Sequence, residues 1–180
     1  MKKNAAGIFG NFVGGVAMLA MLGGPLTAQT STNRVDAKTD WSVFVEGSPT
    51  ECWVVSAPKS SKNTKNGKPV AVNRSDILMF VSYRPGTNVK GEVSFTGGYP
   101  FKEGITVNLK IGSASYAMFV DGDWAWPASE ADDLKITTSM KRGATAIVSA
   151  QSSRGTKTED TFSLLGFTAA IEEAERRCSN

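Results

Sequence analysis

The chain has 180 residues, 41% hydrophobic and 21% charged, with 20 basic against 17 acidic side chains and no histidine. So small an excess of charge gives no electrostatic handle on nucleic acid or an anionic membrane, and the missing histidine removes the side chain around which most acid–base and many metal sites are built. With only Cys52 and Cys178 as thiols, zinc and thioredoxin-like centres lack their ligands too.

Residues 1–28 read as a secretory signal. Lys2 and Lys3 give a positive start, and Phe12 to Leu22 form an apolar stretch interrupted by Gly14 and Gly15. Pro25-Leu26-Thr27-Ala28 then supplies a turn and a small residue, with the cut expected after Ala28. The stretch falls short of the roughly 18 consecutive apolar residues of a membrane helix. Cleavage leaves 152 residues with a formal charge of +1, enough for one domain that buries about 70% of its unfolded surface.

Gln29 to Asp40 is polar and aperiodic and reads as a flexible leader, which places the fold at 41–180. Trp41, Val43 and Val45 alternate with less apolar positions, and Cys52-Trp53-Val54-Val55 follows the turn-prone Gly47-Ser48-Pro49, which predicts a hairpin. Lys59 to Lys68, rich in Ser, Asn, Lys and Gly, is predicted to be an exposed loop. The run Ile77 to Val81 is apolar on both faces, and its shortness and the Arg84-Pro85-Gly86 stop favour a central strand over a helix turn. Val89 to Phe95 and Ile105 to Ile111 alternate with period two, as in an antiparallel sheet with one wet face. Tyr116 to Val120 is the next strand, and Asp121-Gly122 is predicted as a two-residue turn with both residues at positive φ.

Ser129-Glu130-Ala131-Asp132 has the arrangement of a helix start, and Lys141-Arg142-Gly143 that of a helix end, although Ile136-Thr137-Thr138 lowers helix propensity between them. Strands near Ala144 to Ser149 and Thr158 to Leu164 precede a last helix. There Phe167, Ala170, Ile171, Ala174 and Cys178 share one stripe, while Glu172, Glu173, Glu175, Arg176 and Arg177 face water. The expected fold is mainly β: an antiparallel two-layer sandwich with one short helix and a carboxyl-terminal α-helix docked on it.

An exported chain favours a disulfide between Cys52 and Cys178, worth roughly 4 to 5 kcal/mol in the chain-entropy model; the alternative is a pair of buried thiols. Trp124-Ala125-Trp126 puts two indoles on one side of a strand. With Tyr99 and Phe101 they form the candidate recognition surface for a protein or glycan, the alternative being that the rings fill the core. Asp121, Asp123, Asp132 and Asp133 lack the spacing of a calcium loop, and turn or cap roles account for each. The lysines Lys59, Lys62, Lys65 and Lys68 read as a solvated face, and Asn73-Arg74-Ser75 matches the short glycosylation triplet. No Gly-x-Ser-x-Gly elbow occurs, and Ser56 to Lys59 gives Ser-x-x-Lys without its partner motifs. No catalytic, metal-binding or cofactor-binding residues are therefore expected. The competing readings are a periplasmic hydrolase using a carboxylate pair such as Asp121 and Asp123, and a purely structural envelope component.

Several stretches, taken with the export signal, resemble the invasion-associated locus B family of exported bacterial proteins over essentially the whole mature chain. They are Trp41-Ser42-Val43-Phe44, Glu51-Cys52-Trp53, Met140-Lys141-Arg142-Gly143, and Phe162-Ser163-Leu164-Leu165-Gly166-Phe167-Thr168-Ala169-Ala170. The resemblance implies an exported β-rich domain of a Gram-negative envelope and a name drawn from host-cell entry, and it brings no catalytic or ligand-binding residues. The expectation is a non-enzymatic periplasmic or secreted protein without cofactor or lasting membrane span. Its partner would be a protein or glycan of the envelope or of a host surface.

Overall fold

The structure, a computed structural model, describes residues 33–48 and 50–179; the expected signal and the first residues of the expected leader lie outside the described residues. In chain order the strands are β1 (Arg34–Lys38), β2 (Trp41–Gly47), β3 (Thr50–Ser56), β4 (Ser60–Lys65), β5 (Lys68–Pro69), β6 (Leu78–Arg84), β7 (Val89–Thr96), β8 (Thr106–Ile111), β9 (Ala114–Asp121) and β10 (Trp124–Trp126). Helix α1 (Glu130–Arg142), strands β11 (Thr145–Gln151) and β12 (Lys157–Ser163), and helix α2 (Phe167–Cys178) complete the fold.

Every strand pairing is antiparallel, in the order β1-β2-β3-β6-β7-β10-β9-β8-β11-β12-β4-β5. Phe95 of β7 nevertheless meets Phe162 of β12 edge-on, with ring centroids 6.1 Å apart, although β10, β9, β8 and β11 stand between them in that order. The two layers expected from the sequence are therefore walls of one continuous sheet that curls on itself. Period-two alternation supplies the packing between them, with Val43, Val54, Val81, Val93, Leu109, Met118 and Val148 all turned inward and buried.

Ser129 caps α1 by accepting from the Asp132 amide at 3.3 Å, and Glu130, Asp132 and Asp133 lie at the helix's positive end. Ile136 and Met140 are buried, and the helix packs on β7. Gly143 caps its end, its amide donating to the Ser139 carbonyl at 2.9 Å, in a place where a Cβ would meet Ile111 Cγ2 at 2.7 Å. Helix α2 packs on β2, β3 and β6 by the predicted stripe Phe167, Ala170, Ile171, Ala174 and Cys178. Trp41 meets Phe167 edge-on at 4.8 Å. Gly166, at φ +86°, lets the helix start directly against the carbonyl of Lys38.

Three expectations are corrected. The sheet begins inside the stretch read as a leader, because the outer edge of β2 pairs with polar β1 from Arg34↔Phe44 to Lys38↔Trp41, and an edge strand needs no apolar face. The loop read at Lys59 to Lys68 is largely the β4–β5 hairpin, turned by Asn66 (φ 52°) and Gly67 (φ 77°) and paired through β4 to β12. At the β9–β10 turn Asp121 pairs with Trp124, so Gly122-Asp123 form the loop and the positive φ falls on Gly122 at +61°, not on Asp121.

Strand β10 ends after three residues, where Pro127 leads the chain off to α1, and beyond it the Val93 amide donates to Asp133 Oδ1 at 2.8 Å instead of to a strand. Burial pushes the Asp133 carboxyl up from 3.8 to about 6, and nearby Glu92, Asp132 and Glu130 add to the effect. Between those two values the native state binds more proton than the unfolded chain, so this group's contribution to stability falls as pH rises from about 4 to about 6. Asp133→Asn keeps an acceptor for the Val93 amide and removes the charge. Urea titrations across this range should show a flatter pH dependence in the variant and a higher midpoint than wild type at pH 7.5; an unchanged slope would refute the assignment.

Candidate functional site

The alternation that turns Cys52 and Val54 into the core turns Glu51 and Trp53 to the outer face of the sheet. On neighbouring strands the same parity sends out Phe44 from β2, Phe80, Ser82 and Arg84 from β6, Glu92 and Ser94 from β7, and Trp124 and Trp126 from β10, on either side of buried Ala125. Register sets these side chains next to one another: Phe44 stands opposite Trp53, Trp53 opposite Ser82, Phe80 opposite Ser94 and Trp126 opposite Phe119 of β9. The rings interact in pairs. Phe44 and Trp53 lie 5.5 Å apart and nearly parallel, Phe80 and Trp124 are 5.6 Å apart, and Trp124 and Trp126 are 6.1 Å apart at 23°.

Between the rings runs an open groove of about 400 Å³ with Trp53, Phe80, Trp124 and Trp126 as its apolar lining. Its polar lining is Glu51, Ser82, Ser94 and the ion pair of Arg84 Nη2 with Glu92 Oε1 at 2.7 Å. Phe119 extends the aromatic band and is 55% exposed. The wet face of an antiparallel sheet is ordinarily polar, and outward aromatic rings on five of six adjacent strands, β7 alone contributing none, are what a surface kept for contact looks like.

The four rings predicted to form one recognition surface are divided by the sheet. Trp124 and Trp126 line the outer groove. Phe101 is buried against Phe95 at 6.0 Å, and Tyr99 packs edge-on to Phe101 at 5.2 Å with its hydroxyl 2.5 Å from Thr158 Oγ1. A bridge between Phe101 and Ser152 folds that loop over the end of the core, so Tyr99 and Phe101 belong to the inner side. Phe44, Trp53, Phe80 and Phe119 look like ordinary strand residues in the sequence, and only the strand order brings them to the groove face. The parity of Trp53 between Cys52 and Val54 was the signal available.

Cys52 and Cys178 form the disulfide, with Cα atoms 5.9 Å apart and both residues buried. Asp121 and Asp123 are exposed on either side of Gly122, Asp132 pairs with Lys135 at 2.8 Å, and Asp133 is the β7 partner described above. These acids do not converge. Among the described residues no group of three or more His, Cys, Asp or Glu is arranged to hold a metal ion. Lys59 pairs with Asp40 at 2.5 Å and Lys62 of β4 with Glu159 of β12 at 2.9 Å, both lysines exposed to solvent.

At the other end of the core lies a buried polar knot. Asp160, fully buried on β12, accepts from Arg74 Nη1 at 2.8 Å, from Arg74 Nη2 at 2.6 Å and from Ser61 Oγ at 2.6 Å. Arg74 also donates to the Gly97 carbonyl at 2.7 Å and lies over the Tyr99 ring at 4.9 Å. It thereby pins residues 70–77, the irregular crossing from β5 at one end of the sheet to β6 in its first half. The Asn73-Arg74-Ser75 triplet falls within this pinned crossing.

The family model described as "Invasion associated locus B (IalB) protein" matches residues 41–175. The crystal structure of invasion associated protein B from Bartonella henselae is similar in fold, with a TM-score of 0.55 at 13% identity over 81% of this chain and 98% of that one. No curated protein matches. The matched stretch runs from Trp41, buried against α2, to the last turns of that helix, and so takes in both the aromatic groove and the disulfide-bearing strand: this chain belongs to the invasion associated locus B family.

Proposed function

We propose that this family member is a non-enzymatic exported protein of the cell envelope, periplasmic or secreted, which holds a partner against the outer aromatic groove. The observation that carries the reading is the band of partly exposed rings, Trp53, Phe80, Trp124 and Trp126, on a sheet face where water alone would favour polar side chains. Export is supported by the pattern of residues 1–28 and by a disulfide of the kind that persists in oxidising compartments. The hydrolase reading loses its best acids to the exposed flanks of a hairpin turn, where nothing excludes water or brings the carboxylates together.

The test is site-specific photocrosslinking in intact cells. A photoreactive residue at Phe119, beside the groove, is expected to give a discrete adduct, and one at Glu172, on the exposed side of α2, is not. The double variant Trp124→Ala/Trp126→Ala should lose the Phe119 adduct, since aromatic anchors of this kind carry about 2 kcal/mol or more each. Equal labelling from both positions, or an adduct that survives the double variant in folded protein, overturns the reading.

A further inference from the structure

We infer that the groove takes a neutral saccharide chain, the pyranose faces lying on the aromatic band and the hydroxyls meeting the acids and serines beside it. The inference rests on the binding reading above and adds the chemistry of the occupant. Strand backbone groups on this face are committed to the ladders, so a ligand lying across it must find its polar partners among side chains. Those side chains are Glu51, Glu92, Ser82, Ser94 and Arg84. Two carboxylates and one guanidinium make the groove slightly negative and rich in acceptors, with Arg84 already held by Glu92.

That chemistry discriminates among occupants. A phosphorylated, sulfated or uronic chain meets net negative charge. A proline-rich peptide, the other usual guest of aromatic grooves, presents carbonyls and few donors and offers nothing to the Glu51 carboxylate, which unlike Glu92 is not held by Arg84. Sugar hydroxyls donate and accept, and the C–H faces of pyranose rings are apolar enough to stack on indole and phenyl rings. The dimensions agree. The groove's 400 Å³ lies within the range of about 300–1,000 Å³ for small-ligand sites. The band from Phe44 on β2 to Phe119 on β9 crosses five strand spacings of about 4.8 Å, room for several rings in a row.

The experiment titrates the oxidised protein with a β-1,4-linked N-acetylglucosamine series of one to four rings, a β-1,4-glucan tetramer, a uronic acid tetramer and a proline-rich decapeptide. Binding is followed by tryptophan fluorescence and amide chemical shifts. The expected result is binding by at least one neutral series, tightening with chain length, with shifts centred on β3, β6, β7 and β10. It should weaken at least tenfold in Trp126→Ala and in Glu92→Gln, and Trp126→Phe should restore part of the loss, which separates contact from folding. Tighter binding of the uronic chain or the peptide, binding indifferent to these substitutions, or no binding by either neutral series overturns the inference. If the saccharides fail while the Phe119 crosslink persists and depends on the tryptophans, the binding reading stands and only its carbohydrate chemistry falls. Loss of both removes both.

Discussion

Asp160→Ala should destabilise the domain by about 3–5 kcal/mol, the usual result of removing one partner from a buried ion pair. The substitution strands the Arg74 guanidinium, whose side chain is only 7% exposed, with its two strongest acceptor bonds gone. A guanidinium cannot shed its charge, and the Gly97 carbonyl and the Tyr99 face do not replace a carboxylate. The reciprocal variant, Arg74→Ala, orphans the buried Asp160 carboxylate instead and should cost a similar amount. Replacing both at once, as Arg74→Met/Asp160→Leu, should cost less than either single change, because the penalty lies in the orphaned charge more than in the lost attraction. Urea unfolding of the four proteins with the disulfide intact measures all of this. A loss below about 1 kcal/mol for Asp160→Ala would show that the knot is dispensable. The crossing that Arg74 pins leads straight into β6, which carries Phe80, Ser82 and Arg84, so hydrogen exchange in β6 should rise in the single variants.

Most of the strands could be read from residue alternation, because one face of each is dry and the other wet: Val107, Leu109 and Ile111 against Thr106, Asn108 and Lys110 is the plainest case. The buried stripe of α2 was legible for the same reason at helical spacing. What escaped has physical causes. Strands at the ends of the sheet, β1 and the β4–β5 hairpin, bury little, so hydrogen bonding to a neighbour determines them and no side-chain period betrays it. Asn66-Gly67 was the one local sign of the β4–β5 hairpin. Arg74 and Asp160 are 86 positions apart and meet only because the sheet curls. The groove was half legible: Trp124 and Trp126 share a side by parity alone, but Trp53, Phe80 and Phe119 join them through strand order, a property of the whole sheet. Tyr99 and Phe101 were drawn to the wrong side because a loop's direction over the core depends on what it packs against, here Phe95.

The double variant Cys52→Ala/Cys178→Ala should lose about 5 kcal/mol, a fall of roughly 10–20 °C in melting temperature for a domain of this size. The bond joins residues 126 apart in sequence, so in the unfolded chain it closes nearly the whole domain into one loop, and its removal returns that entropy to the unfolded state. Alanine at both positions avoids leaving a reactive thiol in the core. The loss should begin locally. Phe167, Ala170, Ile171 and Ala174 hold the first turns of α2, but Cys178 alone is buried in the last, so amide exchange should rise first after Ala174. The consequence reaches the groove, because α2 backs β2, β3 and β6 from inside, and these strands carry Phe44, Trp53 and Phe80 on the outside. Cys52 itself is the inward neighbour of outward Trp53, so the bond clamps the strand at the position where one tryptophan of the groove emerges. Thiol titration of protein purified without reductant should find no free sulfhydryl, and mild reduction should weaken groove binding before the sheet unfolds. Free thiols in that material, or a double variant within about 1 kcal/mol of wild type, would mean that packing alone holds α2 and that the groove keeps its shape without the bond.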